Sequence, residues 1–158
     1  MKILIVPQRQ FDETMKKHNL NDGNIEEKTK LALISVVETF EQGYQHWFKE
    51  DHVNVLNFDF DDIEKAELET ATYTAKGFSF EQGKKLIKFL ESIDKEKCNL
   101  LIVHCAAGIS RSGAIGTYAN EFLQLDNKEF LNNNKYIHPN GRTLRILHRL
   151  DRGIEIDE

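Results

Sequence analysis

Two residues of opposite chemical character, Cys105 and Arg111, bracket a short run made of Ala106, Ala107, Gly108, Ile109 and Ser110. Gly108 gives the run freedom at positive φ, and no large side chain comes before Ile109. A loop of this kind can curl its backbone N–H groups inward as an anion-binding nest. A helix predicted to begin near Ser112 adds its partly positive N-terminus to the same concavity. Arg111 offers a planar fork that holds two oxygens of a phosphate at once. The ligand these groups suit is a tetrahedral dianion, so phosphate, sulfate or vanadate is expected to occupy the loop. The same donors, helix terminus and guanidinium favour thiolate over thiol at Cys105, whose pKa should be strongly depressed. A thiolate in a phosphate cradle is a nucleophile aimed at phosphorus.

The elements that must hold these residues can be read from hydrophobic patterning. Residues 99–104 form a continuous apolar run, as expected of a middle strand buried on both faces, and Cys105 stands at its carboxyl end. Residues 2–6, closed by Pro7, and 31–37 read as two further strands, with a polar connection between them; residues 52–60 read as another. Residues 64–77 show only weak periodicity and fit a mobile loop or a poor helix. Ser79 and Gln82 make a capping-box pattern, followed by a helical stripe of Phe80, Leu86, Ile87, Phe89, Leu90 and Ile93. Helices are expected over 112–125 and over 140–153, the latter with Asn140 as N-cap and Gly153 as C-cap. Strands alternating with helices imply an α/β fold of three layers, α/β/α, around a small central parallel sheet. Such sheets bind ligands at the carboxyl ends of their strands, which is where Cys105 lies.

Composition narrows the function classes. At 158 residues the chain fits a single domain, 1–158, built around one core. A net charge of −5 argues against a nucleic-acid partner, whose phosphates call for a broadly basic surface. No apolar run reaches the roughly 18 residues of a membrane span, so no membrane partner and a cytoplasmic location are expected. The two cysteines, Cys98 and Cys105, are too few for a disulfide framework and lack zinc-site spacing, and no cofactor or metal is called for.

The stretch His104-Cys105-Ala106-Ala107-Gly108-Ile109-Ser110-Arg111-Ser112-Gly113 resembles the HC-x-x-G-x-x-R-[ST]-G signature of the cysteine-dependent protein tyrosine phosphatases, with every fixed position filled. The small size, and the lack of a tryptophan-bearing acid loop, make the chain more similar to the dual-specificity branch. Pro139-Asn140, followed by Leu144 and Leu147, is similar to the element that opens the last helix in many of those enzymes. The resemblance implies that Cys105 attacks phosphorus and forms a phosphocysteine. It implies that Arg111 and the backbone amides of Ala106, Ala107, Gly108, Ile109, Ser110 and Arg111 bind the phosphoryl oxygens. Ser112 would hydrogen-bond the sulfur and help it leave, and His104 would orient the loop from behind. The implied substrate is a phosphorylated protein or peptide.

A leaving phenolate or alkoxide needs a proton, so a general acid should face the cradle. The resemblance implies that this acid is an aspartate on a loop well before the cysteine, which makes Asp59, Asp61 and Asp62 the candidates; Asp59 is expected to point away on a strand, and Asp62 is preferred to Asp61 because, as in the tyrosine-specific members, it follows an aromatic, Phe60, by two residues. Arg142, Arg145, Arg149 and Arg152 fall on one face of the last helix, opposite Leu144, Leu147, Leu150 and Ile154. That face reads as solvated, with docking of an acidic segment as the sharper alternative. Cys98 reads as inert packing or, alternatively, as a resolving partner for oxidised Cys105; Tyr44, His46, Trp47 and Phe48 read as ordinary packing. The expected function is phosphomonoester hydrolysis through a phosphocysteine, on phosphotyrosine and phosphoserine/threonine in proteins. The rivals are a non-catalytic phosphate-binding module, a phosphatase of RNA 5′-phosphates or phosphoinositides, and an arsenate-reductase-like thiol relay through Cys98.

Overall fold

The computed structural model describes residues 1–156. Four parallel strands make the central sheet: β1 (Lys2–Pro7), β2 (Leu31–Val37), β3 (Val55–Asp59) and, later in the chain, β6 (Leu100–Cys105). Their spatial order is β1-β6-β2-β3, so β6 is flanked on both sides, as its unbroken apolar run requires. Side chains alternate between the two faces. Ala32, Ile34 and Val36 of β2 and Leu101, Val103 and Cys105 of β6 share one apolar cluster, while Leu33 and Ile102 belong to the other.

The first face is covered by α2 (Phe80–Ser92), α3 (Arg111–Phe122) and α5 (Gly141–Asp151), with α4 (Asn127–Asn133) beside α3 and β1. The capping box at Ser79 and Gln82 is present, and Asn140 caps α5 by accepting from the Thr143 N–H at 2.9 Å. The second face is covered by α1 (Gln8–Lys17), in the segment expected to be only a connection. α1 turns inward just Gln8, Phe11 and Met15, a narrow stripe in an otherwise polar sequence. Burial of Phe11 and Met15, each worth roughly 1.5–3 kcal/mol, suffices to dock it.

Residues 64–77 are neither a mobile loop nor a helix. They hold an antiparallel hairpin, β4 (Glu67–Glu69) with β5 (Thr74–Lys76), tied to the main chain by the Asp61 N–H on the Lys76 carbonyl at 2.7 Å. The third strand is shorter than 52–60, starting at Val55.

The arginine face of α5 is also corrected. Arg142 is 3% exposed and donates from Nε to the Phe78 carbonyl at 2.9 Å, because it lies four residues before Ile146 and shares its inward flank. On the opposite side Leu144 and Leu150 are only half-buried and Ile154 is exposed. Tyr44, expected to pack, is 56% exposed.

Candidate active site

The carboxyl edge of the sheet gathers the site. Cys105 ends β6 almost without solvent, and its Sγ stands 3.0 Å from the Ser112 Oγ in the first turn of α3. Burial pushes this thiol up, but the Ser112 hydroxyl, the backbone amides of Ser112 and Ile109, and the Arg111 charge outweigh it. The net result lies below the ordinary thiol value.

The loop between strand and helix is shaped by Gly108, whose φ is +71°. A Cβ there would lie 2.5 Å from the Pro7 nitrogen and 2.6 Å from the Val6 carbonyl carbon, so both the dihedral and the approach to β1 demand glycine. The Gln8 N–H reaches the Ala106 carbonyl at 3.2 Å, and the His138 and Asn140 N–H groups reach the Ile109 and Ser110 carbonyls at 3.0 Å each. These bonds take up loop carbonyls, as a concavity lined with N–H groups requires. Ala106, Gly108 and Ser110 are half-buried, and Ala107 and Ile109 are exposed.

Arg111 is 6% exposed and fixed from two sides. Nη1 donates to the Phe60 carbonyl at 3.0 Å, and Nη2 to Glu38 Oε1 at 2.8 Å. Glu38 follows β2 directly and Phe60 follows β3, so the ends of three parallel strands orient one guanidinium and one thiol. Glu38 was not singled out in the sequence; its only signal there is a carboxylate at the end of a strand.

The adjacent carboxylates Asp61 and Asp62 have different surroundings. Asp61 is 3% exposed and accepts from the Thr39 hydroxyl at 2.5 Å, the Lys76 N–H at 2.8 Å, the Thr39 N–H at 3.1 Å and the Tyr73 hydroxyl at 3.2 Å. Burial pushes its carboxyl up, but these donors hold it below the usual carboxylate range. It is a structural anion that pins the hairpin to β3. Asp62 is exposed and accepts at Oδ1 from the Ser110 hydroxyl at 2.7 Å and from the Asn140 amide at 2.9 Å. It therefore rests directly on the cradle, with Asn140 joining it to α5. Asp59 points away, toward His46 at 2.6 Å.

Cys98 lies just before β6 and Cys105 at its end, roughly 20 Å apart at strand rise. Both are free thiols, and a disulfide would require dismantling the strand. Burial pushes the Cys98 thiol up. Beside the cradle, a groove of about 420 Å³ runs between residues 39–42 and the hairpin, lined by Thr39, Phe40, Glu41, Gln42, Tyr73 and Lys76. A larger cavity of about 540 Å³ sits at the opposite edge of the sheet, lined by Met15, Leu20, Leu31, Leu100 and Ile102. Neither cavity is lined by residues 105–112, and the cradle itself opens between the ends of β2, β3 and β6.

The central four-stranded parallel sheet flanked by helices is a fold this chain shares with a solved structure named as a PTP. Among solved structures, the active form of Tk-PTP aligns with 98% of this chain and 94% of its own, at 18% identity and a TM-score of 0.54. The human tyrosine phosphatase-like serine/threonine/tyrosine-interacting protein aligns over 89% and 82% at 17% identity with a TM-score of 0.46. PTPMT1, solved with PI(5)P, aligns over 96% and 91% at 11% identity, also at 0.46. The likeness to Tk-PTP is one of fold. No protein-family model and no curated protein sequence matches the chain.

Proposed function

We propose that the chain hydrolyses phosphomonoesters, with phosphotyrosine and phosphoserine/threonine in proteins as the substrate class. The observation that carries this reading is the Cys105 thiol, lowered despite burial, with its Sγ 3.0 Å from the Ser112 hydroxyl beside a guanidinium fixed from two sides. In the first step the Cys105 thiolate forms an S–P bond as the ester P–O bond breaks, and Asp62 gives its proton to the leaving oxygen. The Arg111 fork and the inward N–H groups take the charge that builds on the phosphoryl oxygens. In the second step the Asp62 carboxylate takes a proton from water as its oxygen attacks phosphorus. The S–P bond breaks, its electron pair returns to Sγ, and the Ser112 hydroxyl donates a hydrogen bond to the departing thiolate. The products are the alcohol or phenol and inorganic phosphate.

Hydrolysis of a small aryl phosphate in the presence of chelator tests the reading. Wild type should turn over, Cys105→Ser should not, and Asp62→Ala should lose about 10²–10⁴-fold, chiefly on poor leaving groups. Full activity in Cys105→Ser would refute it. So would a wild type that binds vanadate without hydrolysing anything.

A further inference from the structure

Behind the cradle, His104 begins an uninterrupted chain of polar contacts that ends at the surface. Its Nδ1 lies 3.4 Å from the Cys105 carbonyl oxygen and its Nε2 lies 2.7 Å from Ser35 Oγ. Ser35 Oγ lies 2.6 Å from His46 Nδ1, and His46 Nε2 lies 2.6 Å from Asp59 Oδ1. Strand register builds this line. Ser35 pairs with His104 and Val37 with Asp59, which puts Ser35, Asp59 and His104 on the α1 face of the sheet. The loop after β2 hangs His46 between them.

Both ends of the chain, a carbonyl and a carboxylate, only accept. Four hydrogen bonds need four protons, and with both imidazoles neutral the two rings and the hydroxyl hold one each. The missing proton belongs on a ring. Burial drives the His104 pKa down to about 3, so it does not sit there. The His46 side chain, 16% exposed and against the Asp59 carboxylate, is the group that can carry it.

We propose that protonation of His46 decides which ring nitrogen of His104 bears its proton, making His46 a positioning residue for Cys105. With His46 cationic, its Nε2–H donates to Asp59 and its Nδ1–H to Ser35. The Ser35 hydroxyl then donates to His104 Nε2, and the His104 Nδ1–H to the Cys105 carbonyl. When one proton leaves to solvent, the longest of the four bonds is given up. His46 keeps its Nε2–H on Asp59, the Ser35 hydroxyl turns to donate to His46 Nδ1, and His104 donates from Nε2 to Ser35. A lone pair on His104 Nδ1 then faces the Cys105 carbonyl, and the loop loses a support.

The charged groups around this line are Asp59 from β3, Arg111 from α3 with its partner Glu38, and Asp12 from α1. Asp12 is held by Gln8, whose amide also reaches the Gln45 carbonyl at 3.4 Å. The Phe11 ring covers His104 at 4.2 Å and keeps water from it. The catalytic consequence rests on the phosphatase reading above: kcat/KM should fall roughly two- to tenfold as pH rises through the His46 titration, the worth of one hydrogen bond.

The test is nitrogen-15 NMR of the histidine rings in the full chain, from mildly acidic to mildly alkaline pH. His104 should change from the Nδ1–H to the Nε2–H tautomer at the same midpoint at which His46 titrates. Ser35→Ala should leave His46 titrating while His104 no longer follows, and should remove the matching step from the pH dependence of kcat/KM. Asp59→Asn, at a side chain 63% exposed and so tolerant of change, should move both midpoints together. A His104 that keeps one tautomer through the His46 titration, or one that still follows in Ser35→Ala, overturns the proposal. The NMR readout needs no turnover. A switching tautomer in an inactive chain therefore sinks only the phosphatase reading, and a fixed tautomer in an active chain sinks only the relay.

Discussion

His104 stands at the carboxyl edge of the sheet and His52 at the opposite edge, just before β3, and both imidazoles are nearly dry, at 0% exposure for His104 and 3% for the His52 side chain. Burial keeps the first neutral, with a pKa of about 3. The second is held above its ordinary value by the bond to Glu26 at 2.8 Å and the bond to Asp22 at 2.7 Å. Desolvation dominates at the first ring and the two carboxylate partners dominate at the second. At the carboxyl edge a neutral ring meets a hydroxyl and supports a loop that gathers charge for chemistry. At the other edge a cationic ring clasps two carboxylates and ties the chain around residues 22–26 to the start of β3. One edge is arranged for reaction and the other for cohesion.

If that division holds, changes at the carboxyl edge cost rate and changes at the other edge cost stability. The largest effect is expected from Arg111→Lys, which keeps the charge but loses the fork on Phe60 and Glu38. Its kcat should fall about 10²–10³-fold, and steady-state kinetics showing less than a tenfold loss would break the comparison. Next comes His52→Gln. Because the folded pKa of His52 is raised above 6.5, the ionised clasp stabilises fully below about pH 6.5, and that contribution is lost as pH rises through the folded value. Urea unfolding should therefore show the variant less stable by about 1.5–3 kcal/mol in mildly acid buffer, with the gap closing in alkaline buffer and kcat unchanged. A gap independent of pH would remove the clasp.

Gly108→Ala should cost both quantities, since φ is +71° and a Cβ would press on Pro7. About 1–3 kcal/mol of stability is expected to go, read by thermal melting, together with phosphate affinity read by calorimetry. The smallest change is Tyr73→Phe, which removes the 3.2 Å bond on Asp61. It should lower stability by about 0.5–1.5 kcal/mol and leave kcat within a factor of about two. A large rate loss there would make the hairpin part of the reacting site.

The elements around Cys105 were legible because they are local: an apolar run, a loop of small residues and a helix follow one another in sequence. The α/β class followed from the same alternation. α1 escaped notice because two apolar residues, Phe11 and Met15, do nearly all of its docking. The β4–β5 hairpin escaped because its strands are three residues each and β4 is exposed, so no period-two pattern marks them; the Asp61 N–H on the Lys76 carbonyl and the Lys76 N–H on the Asp61 carboxylate hold it instead. Glu38 on Arg111 spans 73 residues and Ser35 on His104 spans 69. Such pairings arise from strand order, which patterning alone does not specify. The arginine stripe on α5 misled for a related reason: helical phase places Arg142 among its neighbours, but only the packed Phe78 carbonyl shows that it turns inward.

The central claim is that Cys105 takes the phosphoryl group. Rapid acid quench during turnover of a phosphorus-labelled aryl phosphate, followed by peptide mapping, tests it most directly. The label should appear on the peptide that carries Cys105, rise and decay with the burst of phenol, and be absent in Cys105→Ser. Steady turnover with no label on the chain, or label on any other residue, would contradict it.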